Sequence, residues 1–149
     1  MVRAISVIIK PVLGCSMGCR HCYHSPDELS STQRLSFERL EKLFSIISKE
    51  YEAAWFIWHG GEPLELPFSF WKKAIELQKQ YFGNKTAGNT IQTNGVNLDR
   101  RMIDFCRKNE INIGISHEGP CDGILRSDCD KVENLIAKMS DKERVFSVS

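Results

Sequence analysis

Three cysteines stand close together near the start of the chain: Cys15, Cys19 and Cys22, in Cys15-Ser16-Met17-Gly18-Cys19-Arg20-His21-Cys22. The spacing is C-x3-C-x2-C. Three thiolates this close can each take one iron of a 4Fe–4S cluster, whose full protein cage would need four cysteines. The fourth iron then keeps an open position for an outside ligand, and an open metal position signals chemistry. The first gap differs from the shorter one of ferredoxin-type motifs. Cys19-Arg20-His21-Cys22, with Cys15 and His24 nearby, would also suit zinc, which takes Cys and His in tetrahedral sets. The triplet alone leaves both readings open. Six cysteines in 149 residues are too sparse for the disulfide framework of a stapled miniprotein.

The elements that must position these thiols alternate in type along the chain. Residues 5–9 are rich in β-branched side chains and read as a buried strand. Leu35, Leu40, Leu43, Phe44 and Ile47 recur at helical spacing, with Ser36 as N-cap. Residues 55–58 form a second strand. Phe70, Ala74, Leu77 and Tyr81 mark a second helix, stopped at Gly83-Asn84. Residues 90–93 read as a third strand, and Leu98, Met102 and Phe105 as one face of a third helix ending near Asn109. A fourth strand covers residues 111–116. Val132, Leu135, Ile136 and Met139 mark a fourth helix, and Val145-Phe146-Ser147-Val148 opens a fifth strand. This β-α alternation predicts an α/β fold of parallel strands joined by helical crossovers. In such folds the working loops lie at the carboxyl ends of the strands. The unusual residues sit there: the cysteines after strand one, His59-Gly60-Gly61-Glu62-Pro63 after strand two, Asn94-Gly95 after strand three, and Ser116-His117-Glu118-Gly119-Pro120 after strand four.

Each of these segments alone reads equally as a turn, since Gly and Asn-Gly favour turns. Gly60 and Gly61 also let backbone approach a ligand closely, so that a Cβ at Gly61 would intrude on it. Their backbone could hydrogen-bond an ammonium group, and Glu62 could add charge. Taken together and in this order, the segments resemble the radical S-adenosylmethionine (SAM) superfamily, from residue 5 to the last. Val7-Ile8-Ile9-Lys10-Pro11, Cys22-Tyr23 and Trp58-His59-Gly60-Gly61-Glu62-Pro63-Leu64 resemble the anaerobic sulfatase-maturating enzymes and related SPASM peptide maturases in particular. The resemblance implies an incomplete radical SAM (β/α) partial barrel, with about four βα units plus the start of a fifth strand. It implies a 4Fe–4S cluster on Cys15, Cys19 and Cys22. It implies SAM on its open iron, cleaved by one electron to a 5′-deoxyadenosyl radical that abstracts hydrogen from a peptide or protein. Cofactor contacts carried over by motif are His21, Gly60, Gly61, Glu62, Asn94, Ser116 and Arg126. His21 stands where the family prefers an aromatic near adenine. Glu118 replaces the usual Asp, and Arg126 follows Ser116 at a slightly short distance.

The bulk composition excludes other classes. Net charge is +1, which gives no electrostatic case for nucleic acid or membrane binding. Hydrophobic residues make up 42% and charged residues 26%, as in globular proteins. The apolar run near Met1 is too short for a signal peptide or membrane span, and free thiols suit a reducing cytoplasm. The expected partners are a peptide or protein substrate and a one-electron donor such as flavodoxin or ferredoxin. Residues 1–149 read as the N-terminal portion of a radical SAM domain, with the later barrel units and the auxiliary-cluster domain absent, and the exposed sheet edge is expected to favour self-association. An inactive fragment that at most binds cluster or SAM, and a zinc-binding structural module, are the rival readings. Cys106 is expected in the core, Cys121 and Cys129 outside any second cluster motif, residues 25–31 in a mobile loop, and Trp55, Trp58 and Trp71 in the core. His24 and His59 read as rim residues, for which surface or packing roles stand beside catalysis.

Overall fold

The computed structural model describes residues 2–83, 85–117, 122–127, 129–138 and 146–148. Five parallel strands form one sheet in sequence order: β1 (Ala4–Ile9), β2 (Ala53–Trp58), β3 (Thr86–Thr93), β4 (Ile111–Ile115) and β5 (Phe146–Val148). Parallel neighbours need long crossovers. These run through α1 (Pro26–Leu29) and α2 (Phe37–Glu50), then α3 (Phe68–Phe82), α4 (Arg100–Lys108), and finally α5 (Asp122–Leu125) and α6 (Cys129–Lys138). This is the α/β fold of parallel strands and helical crossovers that the alternation predicts. No helix among the described residues is long and apolar enough to cross a membrane.

Local chemistry sets the helix ends. The Ser36 hydroxyl accepts from Arg39 N at 3.4 Å and starts α2, and Asp99 accepts from Met102 N at 2.7 Å and starts α4. Gly83, at φ 51°, ends α3. Leu40, Phe44 and Ile47 on α2, and Ala74 and Leu77 on α3, bury one stripe against the sheet. Strand register puts Val7, Phe56, Asn89 and Ile111 in one row of the covered face, and Ile9, Trp58, Ile91 and Ile113 in the next. Phe44, Phe56 and Phe82 pack edge-on at 5.0–6.1 Å, as do Trp58 and Trp71 at 5.4 Å.

Three expectations need correction. Strand β3 starts at Thr86 rather than Thr90. Its extra residues include Gly88 and Asn89, which lack an apolar signature. Asn89 is buried because its amide is satisfied by Trp58 Nε1 at 2.9 Å and by Gln78 at 2.8 Å. Residues 25–31 are not a plain loop: Ser25 and Glu28 make a reciprocal capping box around α1, with Pro26 in its first turn. Trp55 is not core. It is 45% exposed on the face opposite the helices, where Ile8 is 66% exposed. Alternation along β2 sends Trp58 inward and Trp55 outward, and the Trp55 indole lies over Gly88, where any Cβ would strike it. Trp58, Trp71 and Cys106 are buried as expected. Glu118, Gly119, Pro120, Cys121, Asn84, Met139, Val145 and the side chain of Cys129 lie outside what is described.

Candidate functional site

The four strand-end loops meet around one cavity of about 200 Å³. Cys15, Cys19 and Cys22 line it with His21 from the loop after β1. Gly60, Gly61 and Glu62 enter from β2, Asn94 from β3, and Ser116 and Arg126 from beyond β4. All the residues singled out in the sequence as cluster or cofactor contacts therefore face one space. His24, His59, Gln92 and Thr93 also line it. The two histidines read as rim residues, and nothing in the sequence marks His24 as 7% exposed. Its Nδ1 lies 3.4 Å from Glu28 Oε2, which the capping box holds in place. The Glu28 carboxyl is held below 4.5, first by the Ser25 N–H.

The loops are tied to one another by hydrogen bonds. Gly61 N donates to Val12 O at 3.0 Å and Glu62 N to Gly14 O at 2.9 Å, so the loop after β2 pairs with the backbone that leads into Cys15. Cys15 N in turn donates to Leu29 O at 3.1 Å. Ser16 is fixed by Glu65, whose Oε1 accepts from its N and Oγ at 2.7 and 2.8 Å. A Cβ on Gly61 would be driven into the carbonyl groups of Leu13 and Gly14. The need for glycine there comes from the cysteine loop, not from a ligand-facing surface. With these N–H groups spent, the Gly60 and Gly61 carbonyls accept from no backbone N–H among the described residues. Carbonyls are what an ammonium group requires.

Glu62 is 1% exposed. Its Oε1 accepts from Leu64 N at 2.8 Å and Thr93 Oγ1 at 2.6 Å, and its Oε2 from Asn94 N at 2.7 Å. Burial pushes the carboxyl above 4.5, while these donors pull the other way. Both oxygens accept from protein donors, so Glu62 clamps the β3 loop. Gln92 Nε2 donates to Ser116 Oγ at 2.8 Å. Gly60 N donates to His59 Nδ1 at 2.7 Å, which puts the neutral ring's proton on Nε2. Burial, then the charges of Lys10 and His24, hold the His59 imidazolium below 6.5.

Two thiols carry side-chain contacts from other loops. Arg126 NH1 reaches Cys19 Sγ at 3.7 Å and its NH2 lies 3.5 Å from His21 Nε2. Asn94 Nδ2 reaches Cys15 Sγ at 3.9 Å. The Arg126 segment is pinned by Arg20 N to Leu125 O at 3.0 Å and by the Ser127 hydroxyl on Met17 O. Burial pushes the Cys15 thiol above 9.0; the Met17 N–H opposes this, and Glu62, Glu65 and Cys19 add to it. Metal capture at neutral pH must therefore displace a proton. Among the described residues, no three His, Cys, Asp or Glu side chains converge on one ion position.

The sequence model described as the Radical SAM superfamily matches residues 9–146. The chain belongs to the radical SAM superfamily. It is 38% identical over 125 residues to a serine-type anaerobic sulfatase-maturating enzyme of Bacteroides thetaiotaomicron, a match covering 79% of this chain and 30% of that protein. It is 31% identical over 134 residues to a cysteine-type anaerobic sulfatase-maturating enzyme of Clostridium perfringens, covering 84% of this chain and 36% of that protein. The chain thus spans about a third of the length of these relatives. Among solved structures it is similar to anSMEcpe with bound AdoMet, at TM-score 0.85 and 29% identity, over 97% of this chain and 43% of that one. The same protein with AdoMet and the Cp18Cys peptide gives TM-score 0.84 and 29% identity, over 97% and 42%. This radical SAM chain shares their arrangement of strands and loops through nearly its whole length.

Proposed function

We propose that Cys15, Cys19 and Cys22 hold a 4Fe–4S cluster, that SAM binds beside it, and that the site serves radical modification of a peptide or protein. The observation that carries this reading is the convergence of four loops, three thiols among them, on one cavity. The donor set fits: three separate thiols for three irons, and unspent Gly60 and Gly61 carbonyls for the SAM ammonium. Ser116 and Arg126 supply a hydroxyl and a guanidinium suited to its carboxylate. His21 offers a ring face for adenine. Cluster and SAM together supply one-electron chemistry that removes a hydrogen atom from the substrate. The protein's own share is to fix the thiols, orient SAM and limit water at the site. By likeness to the serine-type and cysteine-type relatives, the substrate is a peptide segment of a sulfatase bearing serine or cysteine. A flavodoxin- or ferredoxin-class protein supplies the electron.

The test is anaerobic reconstitution with iron and sulfide, followed by iron and acid-labile sulfide analysis and a 5′-deoxyadenosine assay with SAM and dithionite. About four irons and four sulfides per chain are expected, with deoxyadenosine formed. The Cys15→Ala, Cys19→Ala and Cys22→Ala variants should each hold little iron. Stoichiometric zinc without sulfide would replace this reading with a structural metal site.

A further inference from the structure

Two of the three cysteine sulfurs face side-chain N–H donors that come from elsewhere in the fold. The Asn94 amide is not free to turn. Its Oδ1 accepts from Val96 N at 2.9 Å, which directs Nδ2 toward Cys15 Sγ at 3.9 Å. Its backbone is held in turn by Glu62 Oε2 at 2.7 Å. The orientation of one amide thus depends on a carboxylate from the neighbouring loop. Arg126 reaches Cys19 Sγ at 3.7 Å, and two further contacts hold its segment on the cysteine loop: Arg20 N to Leu125 O, and Ser127 Oγ to Met17 O. The backbone pairing with Val12, Gly14 and Leu29 fixes the approach to Cys15 and its backbone without either donor side chain.

An N–H directed at a cluster-bound thiolate stabilises the extra negative charge of the reduced cluster more than that of the oxidised one. Hydrogen bonds to sulfur and net charge are two of the levers that set cluster potentials. A guanidinium brings both, and a neutral amide brings the first. We infer that Asn94 and Arg126 are positioning residues that raise the reduction potential of a cluster on Cys15, Cys19 and Cys22. The inference rests on the cluster reading above. It gives Arg126 a task independent of SAM, and Asn94 a task through sulfur. Cys15 and Cys19 receive these donors from the β3 and β4 loops, so the electron-accepting tendency of the site depends on loops that supply no iron ligand.

The experiment is a dye-mediated redox titration of the reconstituted chain without SAM, followed by electron paramagnetic resonance of the reduced cluster. Asn94→Ser keeps an acceptor for Val96 N and removes the amide donor. Arg126→Met removes fork and charge. Each should shift the midpoint potential to more negative values at parental iron content. The double variant should shift further than either, because the two donors serve different sulfurs. Arg126→Lys keeps the charge and should fall between parent and Arg126→Met; it also supplies the comparison if Arg126→Met fails to fold. Asn94→Asp does the same for Asn94→Ser, and should shift the potential at least as far. Variants that load a cluster and titrate at the parental midpoint overturn the inference while leaving the proposed function standing. A parent that takes up no iron and sulfide overturns both.

Discussion

Gly61→Ala separates two accounts of the glycine pair after β2. If the glycines only make room for a ligand, a methyl group should weaken SAM binding and spare the cluster. In this structure the methyl group meets the Leu13 and Gly14 carbonyls, immediately before Cys15. These are backbone atoms that no side-chain rotation can clear. Overpacking of this kind costs about 1–3 kcal/mol. The hydrogen bonds from Gly61 N to Val12 O and from Glu62 N to Gly14 O bracket the clash, and both must lengthen. Each contributes about 0.5–1.5 kcal/mol. Losing much of both brings the expected destabilisation to roughly 3 kcal/mol. Urea unfolding of the apo chain reads this as a lower midpoint at unchanged slope. Anaerobic reconstitution should show iron content falling with it, because the displaced carbonyls adjoin the first thiol. A Gly61→Ala chain with parental stability and parental iron, but weaker SAM binding, would refute the reasoning and restore the ligand-facing account.

Two further outcomes follow from the packing and from the buried carboxylate. Trp58→Ala should cost about 3–5 kcal/mol, because Trp58 is fully buried and carries the hydrogen bond to Asn89, whereas Trp55→Ala on the open face should change the urea midpoint far less; equal losses would contradict the assignment of faces. Glu62 holds its proton more tightly folded than unfolded, so its contribution favours the folded state increasingly as pH falls through the folded pKa, and is complete below about 4.5. Glu62→Gln abolishes this dependence, so the stability advantage of the parent over the variant should be larger at pH 5 than at pH 7.5, and an identical difference at both would contradict the raised value.

Much of the fold was legible because burial repeats with the right period. Leu40, Phe44 and Ile47 mark α2, the capped start at Ser36 is local, and the covered faces of β1, β2 and β4 are apolar. What escaped was set by partners distant in sequence. Asn89 is polar yet buried, since Trp58 and Gln78 satisfy it, and so β3 looked four residues shorter than it is. Trp55 has the same composition signal as Trp58, and only the sheet's two faces distinguish them. The capping box of α1 was readable as Ser25-Pro26-Asp27-Glu28, but without apolar residues behind it the segment passed for a loop. In the site, residue identities were legible from motif order and their tasks were not. Glu62 clamps the β3 loop through Thr93 and Asn94, which lie a full βα unit away in sequence.

The hydrogen bond from Cys15 N to Leu29 O has a kinetic meaning. It closes the cysteine segment on a helix that follows within the same short stretch of chain. Closing that loop is roughly 1.5 kcal/mol cheaper in chain entropy than closing the one that brings Asn94 to Cys15. The capping box lets the helix start from its own residues, without waiting for the sheet. The thiols can therefore be gathered early, while β3 and β4 are still unpaired. Iron captured at that stage would meet Cys15, Cys19 and Cys22 on a nascent scaffold, and the donors at Asn94 and Arg126 would close over it last.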